Sequence, residues 1–233
     1  MTERELLESY LQKPFLQKAL KTIRFAEGTE RGGPDSYRVM FGGGLAPNLQ
    51  RHPDKVIRGN GYASAAAGAY QFLPGTWQSH AKALNLSDFG PQNQDLAAAR
   101  GIRNRLMPLG GLAILEKEGL SPRVSAALAP EWASFPTESG RSYYGQPVKK
   151  LSELQKVFGQ DVTPPSPDQA KTGKGDEVSS SGFLEGFIAA MSGGKPKELT
   201  VQDLIKQELM AQLLTPKAPS LPLDILPGIN LYG

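Results

Sequence analysis

The run Pro14-Phe-Leu-Gln-Lys-Ala-Leu-Lys-Thr-Ile-Arg-Phe-Ala-Glu-Gly-Thr29 decides how this chain is read. Phe15, Leu16, Ala19, Leu20, Ile23 and Ala26 recur at helical spacing, so the run is an amphipathic helix. Pro14 suits the first turn, where a missing N–H costs nothing. Gly28 supplies the stop. Glu27 is left on the last turn, facing the negative end of the helix dipole. Desolvation beside apolar neighbours such as Phe25 acts the same way, and both disfavour the ionised carboxylate. A carboxyl that stays protonated near neutral pH can serve as a general acid. On position alone, a solvated helix-end glutamate is the plainer alternative.

Working outward from this helix, Thr2 and Glu5 form a candidate capping box that opens a short first helix. Downstream, Ser36-Tyr-Arg-Val-Met-Phe-Gly-Gly-Gly44 begins like a short strand. Val56 and Ile57 are its expected partners, ahead of the Asn60-Gly61 turn. The glycine run lacks the GK[ST] ending of a phosphate loop. Pro74 to Leu84, Pro91 to Leu106 and Ser121 to Leu128 read as helices, each with a proline in its first turn. Leu151, Leu154, Val157 and Phe158 mark a last one. The expected fold class is therefore α+β: mostly helical, with a small β lobe.

Composition divides the chain. Residues 1–159 carry 20 Lys/Arg against 14 Asp/Glu, and residues 160–233 carry 6 against 9. A basic first part suits a polyanionic target, or simply confers solubility. Residues 160–182, QDVTPPSPDQAKTGKGDEVSSSG, hold almost nothing that packs and read as a flexible linker. Residues 183–233 form a helical and Pro-rich tail. Its amphipathic candidates are Phe183–Met191 and a segment starting at Thr200, with Val201, Leu204, Ile205, Leu209 and Leu213 on one stripe. About 50 such residues are too few for a core of their own. The expected role is docking onto another protein; the alternative is a disordered appendage.

The chain has no cysteine and only two histidines, His52 and His80. Disulfides, Cys-zinc sites and thiol nucleophiles are excluded, and no cofactor or metal site is expected. No stretch approaches the roughly 20 apolar residues of a spanning helix. The opening MTERELLESY has no apolar region, so no cleaved signal peptide is expected. Lys and Arg are scattered without a recognition motif, so a nucleic-acid partner is not expected.

Several short segments carry a resemblance. They are Ala26-Glu27-Gly28-Thr29, Tyr37 to Gly43, His52-Pro53 and Ser64-Ala-Ala-Ala-Gly68-Ala-Tyr70-Gln71. They continue with Leu86-Ser-Asp-Phe89, Pro91 to Asp95, Trp132-Ala-Ser-Phe-Pro136 and Tyr144-Gly145-Gln146. In order and spacing, from about Phe15 to Phe158, they resemble the phage lambda lysozyme-like (endolysin) family. The resemblance implies a lysozyme-like fold in residues 1–159. It implies that Glu27 is the single acid/base. It places Tyr70 and Gln71 in the glycan cleft, the ring against a sugar face and the amide toward polar sugar groups. Ser134, Tyr144 and Gln146 match further cleft positions. Where the family has Arg before Tyr-Gln this chain has Ala69, and Ala66 replaces the first glycine of that segment. Without the motif, Tyr70, Trp77 and Trp132 would read as core aromatics and His52 as a structural loop residue.

The resemblance also implies a reaction. Ordinary glycosidases use two carboxylates, whereas this family is understood to use one. The expected activity is that of a peptidoglycan lytic transglycosylase, an enzyme that cuts the MurNAc–GlcNAc β-1,4 bond and leaves 1,6-anhydro ends. The nearby Glu30, Asp35 and Asp54 remain open as a second carboxylate. The expected partners are peptidoglycan glycan strands and, through residues 183–233, a phage virion structural protein. The expected location is then the virion, as a tail or internal component acting at the host cell wall. The alternatives are a catalytically degenerate wall-binding virion protein and a free late-lysis endolysin held in the host cytoplasm.

Overall fold

A computed structural model describes residues 1–161, apart from 32, 60–61 and 146. The linker beyond residue 161, the tail at 183–233, the Asn60-Gly61 turn and Gln146 lie outside the described residues. Seven helices and one small sheet make up the described fold. The helices are α1 (Glu3–Leu11), α2 (Pro14–Ala26), α3 (Pro74–Leu84), α4 (Pro91–Leu106), α5 (Ala113–Glu118), α6 (Pro122–Leu128) and α7 (Leu151–Phe158). None is long and apolar enough to cross a membrane.

Local chemistry sets most of these boundaries. Thr2 caps α1 with both bonds of the box in place: its hydroxyl accepts from Glu5 N at 3.2 Å, and Glu5 Oε2 accepts from Thr2 N at 2.7 Å. Pro14, Pro74, Pro91 and Pro122 all open helices. Ser121 caps α6 by accepting from Val124 N. α5 lies in Gly110-Gly111-Leu-Ala-Ile-Leu-Glu-Lys-Glu-Gly119, a stretch for which the sequence predicts no helix. Its six residues are too few for periodicity to register.

The β lobe differs from expectation. Strand β1 (Ile57–Gly59) pairs antiparallel with β2 (Tyr62–Ser64), not with residues 36–44. Pro34–Arg38 and Phe41–Gly43 are 3₁₀ turns instead. Gly42 and Gly43 have φ of 79° and 90°, a left-handed excursion that breaks an extended strand. Val39 and Met40 keep only isolated bridges, to Leu45 and Ala67.

The core is built around α4. Its buried residues include Leu96, Ala97, Ala98, Ala99, Gly101 and Ile102. This small-residue surface lets α1, α2, α3 and α6 approach closely. α7 lays Leu154 and Val157 along α2. Trp77 and Trp132 are both buried, as the core reading of each requires. His52 is structural: Nε2 meets Phe72 O at 2.8 Å and Nδ1 accepts from Asp54 N at 3.0 Å.

Candidate active site

Glu27 is the C-cap of α2. The chain leaves the helix through Gly28 at φ 69°. Gly28 N bonds Phe25 O at 3.2 Å, and Thr29 N bonds Arg24 O at 2.9 Å. That pairing is a Schellman motif, and its left-handed residue needs glycine. The motif fixes the direction in which Glu27 leaves the helix. Thr29, fully buried, then ties the turn down, its hydroxyl reaching Ala69 O at 2.5 Å.

The Glu27 carboxyl is largely withdrawn from water. Burial pushes its pKa from 4.5 up to about 7, opposed by one hydrogen bond from Ser134. Ser134 Oγ donates to Glu27 Oε1 at 2.5 Å. No other charged group contributes to that shift. Of the neighbouring carboxylates, Glu30 pairs with Arg24 at 2.8 Å and Asp35 with Arg38 at 3.2 Å. Asp54 is exposed. The site thus holds a single carboxyl able to carry a proton near neutral pH and to give it up again.

Ser134 is carried by the segment Trp132–Pro136, and its carbonyl accepts from Lys149 N at 3.0 Å. The segment is anchored from behind by Glu131. Arg105 Nε and Nη2 reach Glu131 Oε2 at 3.0 and 2.8 Å, and His80 Nε2 lies 3.7 Å from Oε1. Burial alone would raise the Glu131 pKa, but His80 and Arg105 hold it below the usual carboxylate range.

Two further residues expected at the glycan cleft, Tyr144 and Gln71, are placed differently. Tyr144 is half-buried; its hydroxyl donates to Pro130 O at 2.8 Å, and its ring meets Tyr143 edge-on. Gln71 has φ 49°, and its amide nitrogen donates to Val39 O and Gly68 O at 3.1 and 3.0 Å. With both amide hydrogens used, only Oε1 is left to accept a further hydrogen bond.

Tyr70 corrects the reading of its role. Its side chain is 1% exposed, so the ring cannot lie against a sugar face. Its hydroxyl donates to Asp95 Oδ1 at 2.5 Å and accepts from Arg24 Nη1 at 3.1 Å. Tyr37 OH reaches the same Asp95 carboxylate at 3.0 Å. Next to Asp95, Gln94 accepts from Ala69 N at 2.9 Å and donates to Tyr37 O and Phe89 O. Sequence reasoning gave Arg24, Tyr37, Gln94 and Asp95 no role. Pro91 to Asp95 stood among the family segments, but nothing in its spacing shows that two of its side chains turn inward beneath the acid.

Solved structures share this arrangement of elements. The chain is similar to bacteriophage lambda lysozyme in complex with a chitohexasaccharide, with 29% identity and a TM-score of 0.53, over 62% of this chain and 91% of that one. It is likewise similar to the lysozyme from bacteriophage lambda, with 27% identity and a TM-score of 0.53, over 64% and 96%. Among curated proteins none matches. A lysozyme-like fold shared with these structures defines a glycan-cleaving enzyme. Residues 17–163 match the family described as Endolysin, and the chain belongs to that family.

Proposed function

We propose that the chain is a lytic transglycosylase that cuts the MurNAc–GlcNAc β-1,4 bond of peptidoglycan with Glu27 as its only acid/base. One observation carries this reading. Glu27 is partly buried and its pKa is pushed up to about 7, whereas Glu30 and Asp35 are held in ion pairs with arginines. Hydrolysis with two carboxylates needs a partner at about 5–9.5 Å that activates water or attacks C1. Intramolecular attack does not. Protonated Glu27 gives its proton to the glycosidic oxygen as the C1–O bond breaks. The C6 hydroxyl of the muramic sugar forms the new bond to C1, and Glu27, now ionised, takes the hydroxyl proton. Proton and electron pair balance without water, and the catalyst returns to its starting state.

Ser134 suits both halves of the cycle. Its hydroxyl stabilises the ionised carboxylate between the two proton transfers. The chitohexasaccharide bound by lambda lysozyme supports a β-1,4 glycan as the ligand of this cleft. Mass spectrometry of digested sacculi tests the reaction: 1,6-anhydromuramic ends are expected, and reducing muramic ends would refute it. Zymography of the wild type and Glu27→Gln tests the acid; lysis that survives the substitution removes Glu27 from its role, and wild-type lysis that the substitution abolishes refutes a degenerate wall-binding protein.

The place where the enzyme works is, we propose, the phage virion. The polar stretch 160–182 and the apolar, Pro-broken tail support tethering to a virion protein, with wall opening during infection. Immunoblotting of purified particles is expected to find the chain; its absence would favour a free late-lysis enzyme.

A further inference from the structure

We propose that Asp95 is the positioning residue of this active site, acting through Tyr70 and Arg24 to hold the last turn of α2, and with it the Glu27 carboxyl, against Ser134. The inference rests on Glu27 being the acid. Asp95 projects from the first turns of α4 into the ground beneath the cleft. Its carboxylate accepts from Tyr70 OH at 2.5 Å and from Tyr37 OH at 3.0 Å. The Tyr70 oxygen in turn accepts from Arg24 Nη1, and Arg24 Nε goes to Glu30. The main-chain carbonyl of Arg24 is the one that receives Thr29 N–H in the turn presenting Glu27. The side chain of Arg24 is therefore held from below, and its backbone holds the acid's turn.

A second tether runs alongside. Gln94 holds Ala69 N, and Ala69 O receives the Thr29 hydroxyl. A third reaches the other wall of the site: Trp132 Nε1 donates to Tyr70 O at 3.3 Å, two residues before Ser134. Tyr70 is thus where the support of the acid and the support of its hydrogen-bond partner meet. Withdrawing a carboxylate and a guanidinium from water carries a desolvation cost that packed apolar side chains would not. What a satisfied polar network supplies in return is a single placement of the groups it ties together. The 2.5 Å contact between Ser134 and Glu27 needs that placement, since an error of about 1 Å at a reacting group costs on the order of 100-fold in rate.

The test uses the full chain acting on soluble uncrosslinked peptidoglycan strands, with Tyr70→Phe, Asp95→Asn and Asp95→Ala. Tyr70→Phe keeps the buried ring and deletes only the hydroxyl. Its expected kcat is lower by about tenfold or more, with KM within about threefold. The basic limb of its pH–rate profile is expected to move to lower pH as water reaches Glu27. Asp95→Asn keeps an acceptor oxygen and is expected to fall between wild type and Asp95→Ala. A purely structural role would lower the melting temperature of these variants and leave kcat and the limb of the folded protein unmoved; that result overturns the proposal. Should Asp95→Ala fail to fold, Tyr70→Phe decides alone. Glu27→Gln is measured beside them. Activity remaining in it sinks the assignment of the acid, whereas its loss with normal Tyr70→Phe sinks only the positioning role.

Discussion

Replacing Glu27 by Gln is expected to stabilise the protein at alkaline pH while abolishing cleavage. The raised pKa of Glu27 contributes stability that is fully present below its unfolded value of 4.5 and is lost as pH rises through about 7. A separation of about 2.5 pH units, at about 1.4 kcal/mol each, is about 3 kcal/mol. Glutamine does not titrate, so it escapes that loss, and its Oε1 can still accept from Ser134. Allowing for water that reaches the partly buried carboxylate, the variant is expected to gain about 1–3 kcal/mol at pH 8.5 and nothing at pH 4. Urea unfolding followed by tryptophan fluorescence measures this cleanly. The only two tryptophans, Trp77 and Trp132, are both buried in the core around the site. With a slope of about 2 kcal/mol per molar urea, the midpoint at pH 8.5 rises by about 0.5–1.5 M. Equal midpoints at pH 8.5, or a difference that does not change with pH, would refute the account of a desolvated acid.

Three further outcomes follow from the same geometry. Ser134→Ala removes the one contact that lowers the Glu27 pKa, so the basic limb of the pH–rate profile should move up by about one pH unit; a limb that moves down contradicts the hydrogen bond. Gly68→Ala places a methyl group in a backbone with φ 82°, 2.8 Å from Phe89 Cζ and into the Gln94 amide, and chemical denaturation should show a loss of about 2–4 kcal/mol. Arg105→Ala strands the Glu131 carboxylate beside His80 and should cost about 3 kcal/mol at pH 7. Because the Glu131 pKa is lowered in the fold, its contribution is present above the usual carboxylate range and lost as pH falls below that range through the lowered folded value, so that cost should shrink in acid melts.

The helices were largely legible because their boundaries are local. A proline at a first turn and a glycine at a stop act within a few residues of themselves, and Pro14, Pro74, Pro91 and Pro122 each open a helix. α5 was too short to show a period. The lobe is less legible, because Val39 and Met40 look like strand residues while the glycines after them turn the chain before a ladder can form.

By itself the sequence determined that Glu27 lies on the last turn of a helix, that Gly28 stops that helix, and that the chain carries the motif order of one family. Those are properties of neighbours along the chain, and hydrogen bonds three to five residues long enforce them. Only the tertiary structure decided what surrounds the acid. Ser134 arrives from 107 positions away, and Asp95 reaches Arg24 only through the hydroxyl of a buried tyrosine. Tyr70 shows the difference most plainly. Its place in the motif pointed to a sugar, but its burial gives it to the network underneath. A side chain's exposure is set by everything that packs around it, and no spacing along the sequence contains that information.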